Sequence, residues 1–345
     1  MLLILRYFWA SVRFQRNLLN DQTEEVKSVT EEPITILKEL QLAAPIQTFL
    51  SEVKSLGHVQ NDRKFITLQP TTLHTVQSHV FVPLSKPIED IEIQNIVKVD
   101  ASKSQTKSSQ LWSTAVLPNR QLIFKWNESN NVAIFTSDGE FARFRSVYGN
   151  VKYMAVVDSE RLAFTYENSN EVGIFNMQTL QTEKTITFKE NCYGLSYDGR
   201  NLYIVGATKI LCTELADDRV RISSVQVNTN NVAFLSVHGD RLYYSDYKNH
   251  IVYCSKKNGE EIWSFKNEIM KNPIGNTTDQ YGNTYVTCGL SKNVLVISAD
   301  GKHYKELLNV SAGLESPRAI FYDKMDNRLL VCNAQNGHAL LCSMK

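Results

Sequence analysis

Tyrosines lie beside lysines and arginines in several polar loops of the chain, and these side chains are the best candidates for binding a partner. They are Tyr148, Lys152, Tyr193, Tyr247, Lys248, Lys271 and Arg318. Aromatic groups next to cations are typical of protein-binding hot spots, and they also stack on the bases of single-stranded RNA. The alternative is that they are ordinary solvated loop side chains.

His250 and His338 are the histidines with the most regular placement. Both follow a polar turn, at matching positions of two similar chain segments, and imidazoles are common metal ligands. The segment between them has no histidine there, only Asn293 or a neighbour, which favours the interpretation that both are surface turn residues. The chain has no HExxH, P-loop or GxSxG motif, and no GxGxxG between a strand and a helix. The sequence therefore predicts no catalytic residue, no metal ligand and no cofactor.

The six cysteines bear on the compartment. None forms a CxxC pair, and several stand inside apolar runs such as "KILCT" and "IVYCS". Buried free thiols behave as small hydrophobic groups, so we expect reduced cysteines and a cytoplasmic location. The apolar start "MLLILRYFWASVRF" is interrupted by Arg6 and is far shorter than a membrane span, which predicts no membrane association. The formal net charge of +1 lacks the basic excess of a strong non-specific nucleic-acid binder.

The first part of the chain predicts helices. Ile46, Phe49, Leu50 and Val53 form one apolar stripe at helical spacing, and Gly57 is a natural stop. We predict a helical segment over 1–57, the end of a coiled coil, which offers a surface for self-association. Residues 58–91 have scattered prolines and no sustained period, which predicts a linker.

A repeat organises the remainder and brings the candidate residues to one surface. An apolar residue opens a strand after each polar turn, at intervals of about 40 residues, the mark of a repeat architecture. These anchors are Leu122, Leu162, Leu202, Leu242, Thr284 and Leu329. Each unit before the last carries four short strand patterns separated by Asp, Asn or Gly turns, which is the pattern of one propeller blade. The sequence predicts an all-β fold over 92–345, a six-bladed β-propeller with four-stranded antiparallel blades.

Closure of the ring is predicted from what the last unit lacks. That unit ends at Lys345 after three strands, and an open edge there would invite aggregation. The strand pattern "EIQNIVKV" at 92–99 is unused and would close the last blade. In such a ring the loops from fourth to first strands share one face with the turns from second to third strands. The seven candidate residues lie in or beside these loops, so we expect them on that face.

The repeats resemble the NHL type, especially the propellers that end the tripartite-motif (TRIM-NHL) proteins of invertebrates. The segment "SPRAIFYDKMDNRLLVCNAQNGHALLCSMK" at 316–345 looks like the terminal blade of that family, and "APIQTFLSEVKSLGHV" at 44–59 looks like the tail of its coiled coil. The RING and B-box domains of the family need clustered cysteines and histidines. No cysteine precedes Cys192, so we expect those domains to be absent from this chain.

The resemblance implies the substrate-recognition portion of a ubiquitin ligase, with ligase activity only if upstream domains are missing from this sequence. The sequence thus predicts a non-catalytic scaffold whose propeller rim binds a protein partner. One alternative is a propeller that binds single-stranded RNA in post-transcriptional regulation. A second alternative is a metal-dependent hydrolase or lyase, because some NHL propellers are such enzymes.

Overall fold

The structure is a computed structural model that describes residues 86–104, 110–215 and 221–345, all within the unit Ser78–Lys345. The predicted helical segment 1–57 and most of the predicted linker 58–91 lie outside the described residues. The described part contains strands joined by tight turns, and three short 3-10 helices at Ile88–Asp90, Ala101–Ser104 and Val310–Ala312.

The strands form six separate four-stranded antiparallel sheets, which confirms the predicted six-bladed propeller. The first strand, β1 (Ile93–Asp100), belongs with the last blade. Blade I contains β2 (Leu111–Val116), β3 (Leu122–Trp126), β4 (Asn131–Phe135) and β5 (Phe141–Ser146). Blade II contains β6 (Val151–Val156), β7 (Arg161–Tyr166), β8 (Glu171–Asn176) and β9 (Gln181–Thr187). Blade III contains β10 (Leu195–Tyr197), β11 (Asn201–Val205), β12 (Ile210–Glu214) and β13 (Ile222–Val225).

The remaining three blades repeat the same order. Blade IV contains β14 (Val232–His238), β15 (Arg241–Asp246), β16 (Ile251–Lys256) and β17 (Glu261–Phe265). Blade V contains β18 (Pro273–Thr278), β19 (Thr284–Cys288), β20 (Asn293–Ile297) and β21 (Tyr304–Leu308). Blade VI contains β22 (Pro317–Asp323), β23 (Arg328–Asn333) and β24 (His338–Met344), with β1 as its outer strand. The first strands of neighbouring blades contact one another all the way round, so they surround a central channel.

Blade VI holds both ends of the propeller together. β1 pairs antiparallel with β24, and Val99 lies opposite Ala339. The strand predicted at 92–99 therefore lies at the outer edge of the last blade. Just before it, Ile88 and Ile91 are buried against blades V and VI with Val294 and Leu340. The described end of the predicted linker is thus packed onto the propeller.

Apolar side chains fill the spaces between neighbouring blades. Phe124 and Phe135 of blade I meet edge to face, with ring centroids 4.9 Å apart, and they share one cluster with Leu330 of blade VI. The second strands are buried at their centres, and β3 and β19 are buried along their whole length. Each central strand therefore contacts a neighbouring blade on both of its faces, which reproduces the packing of stacked sheets.

Turn carboxylates and cysteines have structural roles in the described residues. Asp198 Oδ1 accepts hydrogen bonds from the backbone N–H groups of Arg200 and Asn201, and Asp246 caps its own turn in the same way. All six cysteines are free thiols, and burial raises the pKa of Cys288, Cys332 and Cys342 to about 12. Such thiols form little thiolate and react poorly.

No helix within the described ranges is long and apolar enough to cross a membrane.

Candidate functional site

One side chain per blade lies near the end of the channel where the innermost strands begin, which we call the upper end. In all blades but blade III, a register shift in the innermost strand accompanies this side chain. In β2 the pairing shifts between Leu111 and Ser113, which leaves Trp112 as the extra residue. Corresponding shifts in β6 and β22 leave Lys152 and Arg318. A bulge turns its extra residue out of the regular alternation, so these three side chains occupy equivalent places.

The other three blades contribute smaller or aromatic residues at the matching place. Tyr193 comes just before β10, and the irregular stretches of β14 and β18 contain Ala233 and Ile274. We call these six residues the mouth ring: Trp112, Lys152, Tyr193, Ala233, Ile274 and Arg318. All six line one cavity of about 540 Å³, the upper cavity. Its volume is in the range of small-ligand pockets.

Arg318 and Trp112 are the central pair of the mouth ring. The Arg318 guanidinium carbon lies 3.5 Å from the centroid of the Trp112 ring, and Lys152 Nζ lies 4.8 Å from the same centroid. These are cation–π contacts. Arg318 Nε and Trp112 Nε1 are buried, and neither has a hydrogen-bond partner in the described part of the chain. Burial lowers the pKa of Arg318, yet a guanidinium stays charged in proteins.

Glu167 is the carboxylate that faces the two lysines near Trp112, Lys152 and Lys125. It accepts hydrogen bonds from Lys152 Nζ and Asn150 Nδ2, both at 2.7 Å. Lys125 of β3 is 0% exposed and donates to the Trp126 carbonyl. Burial lowers the pKa of Lys125 to about 8, and the charge of Glu167 opposes that shift. One carboxylate thus faces two lysines, so this group of three side chains keeps a net positive charge when both lysines are protonated.

Tyrosines and an asparagine complete the aromatic side of the cavity. Tyr153 packs edge to face on Trp112 at 6.3 Å and on Phe234 at 4.9 Å, and burial raises its pKa. Asn272 Nδ2 donates to the Tyr247 carbonyl at 3.2 Å, and the Asn272 N–H donates to His250 Nδ1 at 3.0 Å. These bonds tie the loop that carries Tyr247 to the start of blade V.

The opposite side of the cavity is uncharged, and it combines small apolar side chains with the amides of Asn230 and Asn231. Ala233 and Ile274 face it, and the Ala233 carbonyl accepts a hydrogen bond from the Gly194 N–H at 3.0 Å. A Cβ at position 194 would stand 2.2 Å from that carbonyl oxygen, so glycine is required for this close approach. The Thr229 hydroxyl also lines the cavity, and it has no partner among the residues described.

Four of the seven candidate residues line this one cavity, namely Lys152, Tyr193, Tyr247 and Arg318. The other three do not line it. Tyr148 is 85% exposed in the loop before β6, Lys248 lies in the turn after β15, and Lys271 lies in the loop before β18. The structure thus separates a converging group from three loop side chains.

Trp112 and Tyr153 are site residues that the sequence analysis missed. Trp112 lies ten residues before its anchor Leu122, as Lys152 lies ten residues before Leu162 and Ile274 ten before Thr284. The other three members of the mouth ring lie nine or eleven residues before their anchors, so alignment on the anchors indicates this position to within one residue. Trp112 gives no loop signal, because it stands at the start of an apolar strand pattern.

The lower end of the channel has a different chemistry. Its cavity of about 330 Å³ is lined by the ends of the inner strands and by Lys324. Lys324 Nζ lies 3.2 Å from His238 Nδ1, and burial lowers the pKa of His238 to about 4. At neutral pH this imidazole is therefore uncharged.

The histidines at matching positions do not form a metal centre in the described residues. His250 accepts the Asn272 N–H, and His338 begins β24. Across residues 86–104, 110–215 and 221–345 there is no group of three or more His, Cys, Asp or Glu side chains that could hold a metal ion.

Comparisons with known proteins support the fold. No family model matches the chain, and no curated protein matches it. The β-propeller domain of Cps50 (Swd1) from Myceliophteria thermophila has a TM-score of 0.52 at 8% identity, over 68% of this chain and 97% of that one. A protein of unknown function from Bacteroides thetaiotaomicron has a TM-score of 0.58 at 14% identity, over 73% of this chain and 76% of its own.

A third similar structure is a catalytically inactive virginiamycin B lyase from Staphylococcus aureus, solved with Quinupristin. Its TM-score is 0.53 at 11% identity, over 72% of this chain and 99% of that one. Likeness at such low identity shows the fold alone. These neighbours are other types of propeller, so the resemblance to NHL-repeat tripartite-motif proteins stays a prediction.

Proposed function

We propose that this propeller is a non-catalytic interaction module that holds a protein partner at the upper cavity. The observation that carries the proposal is the mouth ring, which directs one side chain from each blade into a single cavity and places two cations against Trp112. Tryptophan, tyrosine and arginine in a desolvated pocket are the residue types that dominate protein-binding hot spots.

The lining of the cavity supports binding rather than acid–base chemistry. Its described lining residues include no carboxylate, imidazole or thiol, and these groups serve most often as general acids, bases or nucleophiles. The second alternative, a metal-dependent hydrolase or lyase, would need a ligand group that the described residues do not contain. We therefore favour a scaffold over an enzyme.

A protein partner suits the cavity better than single-stranded RNA. Proteins that bind single strands present a positively charged groove that follows several phosphates. Here Lys152 is engaged by Glu167, and Lys209 lies 3.7 Å from Glu190. One guanidinium in a compact cavity suits a single anionic group better than a polyanion.

The finer features of the proposal come from the sequence. The resemblance to tripartite-motif proteins supports substrate recognition for a ubiquitin ligase, with ligase activity only if upstream domains are missing from this sequence. Free buried thiols with raised pKa values support a reducing, cytoplasmic setting.

The test is affinity capture with the purified full chain, followed by measurement of binding to the captured protein after its own purification. Trp112→Ala should weaken that binding about tenfold or more, because the stacked platform for Arg318 is lost. The matched control is Tyr148→Ala, which removes an exposed aromatic side chain outside the cavity and should leave the affinity unchanged. Equal affinity of all three proteins would refute the site, and preferential binding of a random single-stranded RNA pool would favour RNA instead.

A further inference from the structure

The upper cavity is rich in donors that lack acceptors. Arg318 Nε, Trp112 Nε1 and Thr229 Oγ1 all belong to residues that line it, and each is buried without a hydrogen-bond partner in the part of the chain that the structure describes. Buried polar groups in native proteins are nearly always paired. The Tyr153 hydroxyl lies against both Arg318 and Trp112 and offsets part of this deficit, but it cannot satisfy all the donors of a guanidinium. The remaining donors of Arg318 therefore indicate a ligand group in the cavity that accepts hydrogen bonds.

The unpaired charge of Arg318 indicates that this ligand group is an anion. Arg318 forms no ion pair within 4 Å with any described carboxylate, whereas Lys152, the other cation of the mouth ring, is held by Glu167 at 2.7 Å. A half-buried guanidinium without a counterion is unfavourable in the free protein. An anion from outside would relieve both the charge and the unpaired Nε.

The number of available cations favours a carboxylate over a phosphate. A phosphate carries close to two charges and is usually held by a cluster of arginines. Here the second cation is already neutralised, and Lys125 lies fully buried behind the wall. A carboxylate has one charge, accepts hydrogen bonds only, and matches the planar fork of arginine.

The apolar side of the cavity indicates what accompanies the carboxylate. Ala233 and Ile274 lie across the mouth ring from Trp112, and they offer no charged group. We propose, building on the proposed protein-binding function, that the upper cavity receives an Asp or Glu side chain from an extended segment of the partner. The carboxylate binds Arg318, and an apolar neighbour of that residue packs on Ala233 and Ile274.

Two pools of short peptides, acetylated and amidated at their ends, provide the probe. One pool fixes Asp or Glu beside a varied position, and the other fixes Asn or Gln at the same place. The full chain should enrich the acidic pool about tenfold over the amide pool, since the ionised acceptor roughly doubles hydrogen-bond strength. The varied position should select aliphatic residues.

Variants of Arg318 separate charge from geometry. Arg318→Gln should abolish the preference for acid over amide, and Arg318→Lys should retain part of it, because lysine keeps the charge without the planar fork. Lys302→Gln is the matched control, since it removes an exposed cation from the turn between β20 and β21, outside the cavity, and should leave the preference intact. Thermal unfolding of each variant checks that it is folded.

The possible outcomes distinguish the two proposals. Equal enrichment of both pools at the upper cavity would overturn the carboxylate anchor while leaving protein binding in place. Failure of the acidic pool to bind, with the captured partner still sensitive to Trp112→Ala, would overturn it as well. Loss of the captured partner's dependence on Trp112 would instead refute the proposed function, whatever the peptides do.

Discussion

The seam between blades IV and V and the upper cavity beside blades VI and I differ in how their polar groups are paired. Between blades IV and V, Asn276 Oδ1 accepts from the Ser236 hydroxyl at 2.8 Å, and its Nδ2 lies 3.2 Å from both Ser245 Oγ and the Phe234 carbonyl. At the cavity, Arg318 Nε and Trp112 Nε1 have no partner within the described residues. The inner strands thus carry a fully paired amide network around Asn276 at one seam and buried donors without partners at the cavity.

The second strands of the blades also differ in how their buried polar groups are paired. Register places Lys125 of β3, Thr165 of β7, Ser245 of β15 and Thr287 of β19 at the third residue after their anchors. The Thr287 hydroxyl donates to the Arg318 carbonyl at 2.7 Å and accepts the Gly275 N–H at 2.9 Å. Lys125 instead buries an ammonium group. Saturated networks serve stability, whereas uncompensated polar groups are expected where a protein sacrifices stability for function.

The largest expected effect comes from disrupting the hydrogen-bond network of Asn276 between blades IV and V. Asn276→Ala removes the amide that connects Ser236 and Ser245, and leaves two buried hydroxyls without their partner. The free energy of unfolding should fall by about 3 kcal/mol, as for other disrupted buried networks. Chemical denaturation measures it, with Asn191→Ala as the exposed control. A loss no greater than that of the control would mean that the seam does not stabilise the ring.

The second prediction concerns Lys125, the buried lysine of blade I. Lys125→Met should raise the free energy of unfolding by about 2 kcal/mol near neutral pH, because an apolar side chain of similar length avoids burial of a charge. The same change should weaken binding of an acidic peptide, since the wall loses positive charge. Denaturation and peptide titration of the same variant measure both effects.

The sign of the pH dependence provides an independent check of Lys125. Its pKa is lowered from 10.5 to about 8 in the folded protein, so between these values the unfolded chain binds more protons. The contribution of Lys125 to stability therefore rises with pH from about 8 to 10.5. Lys125→Met should remove this rise. An unchanged pH profile would show that the lysine is not buried as a charge.

The architecture could be predicted from the sequence because its signals are local. Strand patterns and turn residues such as Asp198 and Asp246 act within a few positions, and their spacing near the anchors sets the number of blades. The strand at 92–99 was recognisable since the last unit lacked a fourth strand. None of these inferences required knowledge of which face a side chain occupies.

The candidate site was harder to predict because it depends on pairing between strands. Trp112 enters the cavity through a one-residue shift against β3, and such a shift reverses the face that a side chain occupies. Lys125 in "LIFKW" would lie on a solvent face in an ordinary two-layer sheet, yet both faces of β3 are covered by neighbouring blades. Tyr148 has the residue type and loop position of a binding residue, yet it does not line the cavity.

The smallest expected effect gives the most direct comparison of the two sides, because it uses one substitution at equivalent positions. Thr165 and Thr287 are both 0% exposed, but Thr165 Oγ1 has no partner among the described residues. Thr287→Val should reduce the free energy of unfolding by about 1–2 kcal/mol, since it deprives the Arg318 carbonyl and the Gly275 N–H of a partner. Thr165→Val should change stability by less than about 0.5 kcal/mol or increase it slightly, because no hydrogen bond is lost. Denaturation curves of the two variants measure this difference. Equal losses of unfolding free energy in both would show that the Thr165 hydroxyl is hydrogen-bonded as fully as the Thr287 hydroxyl.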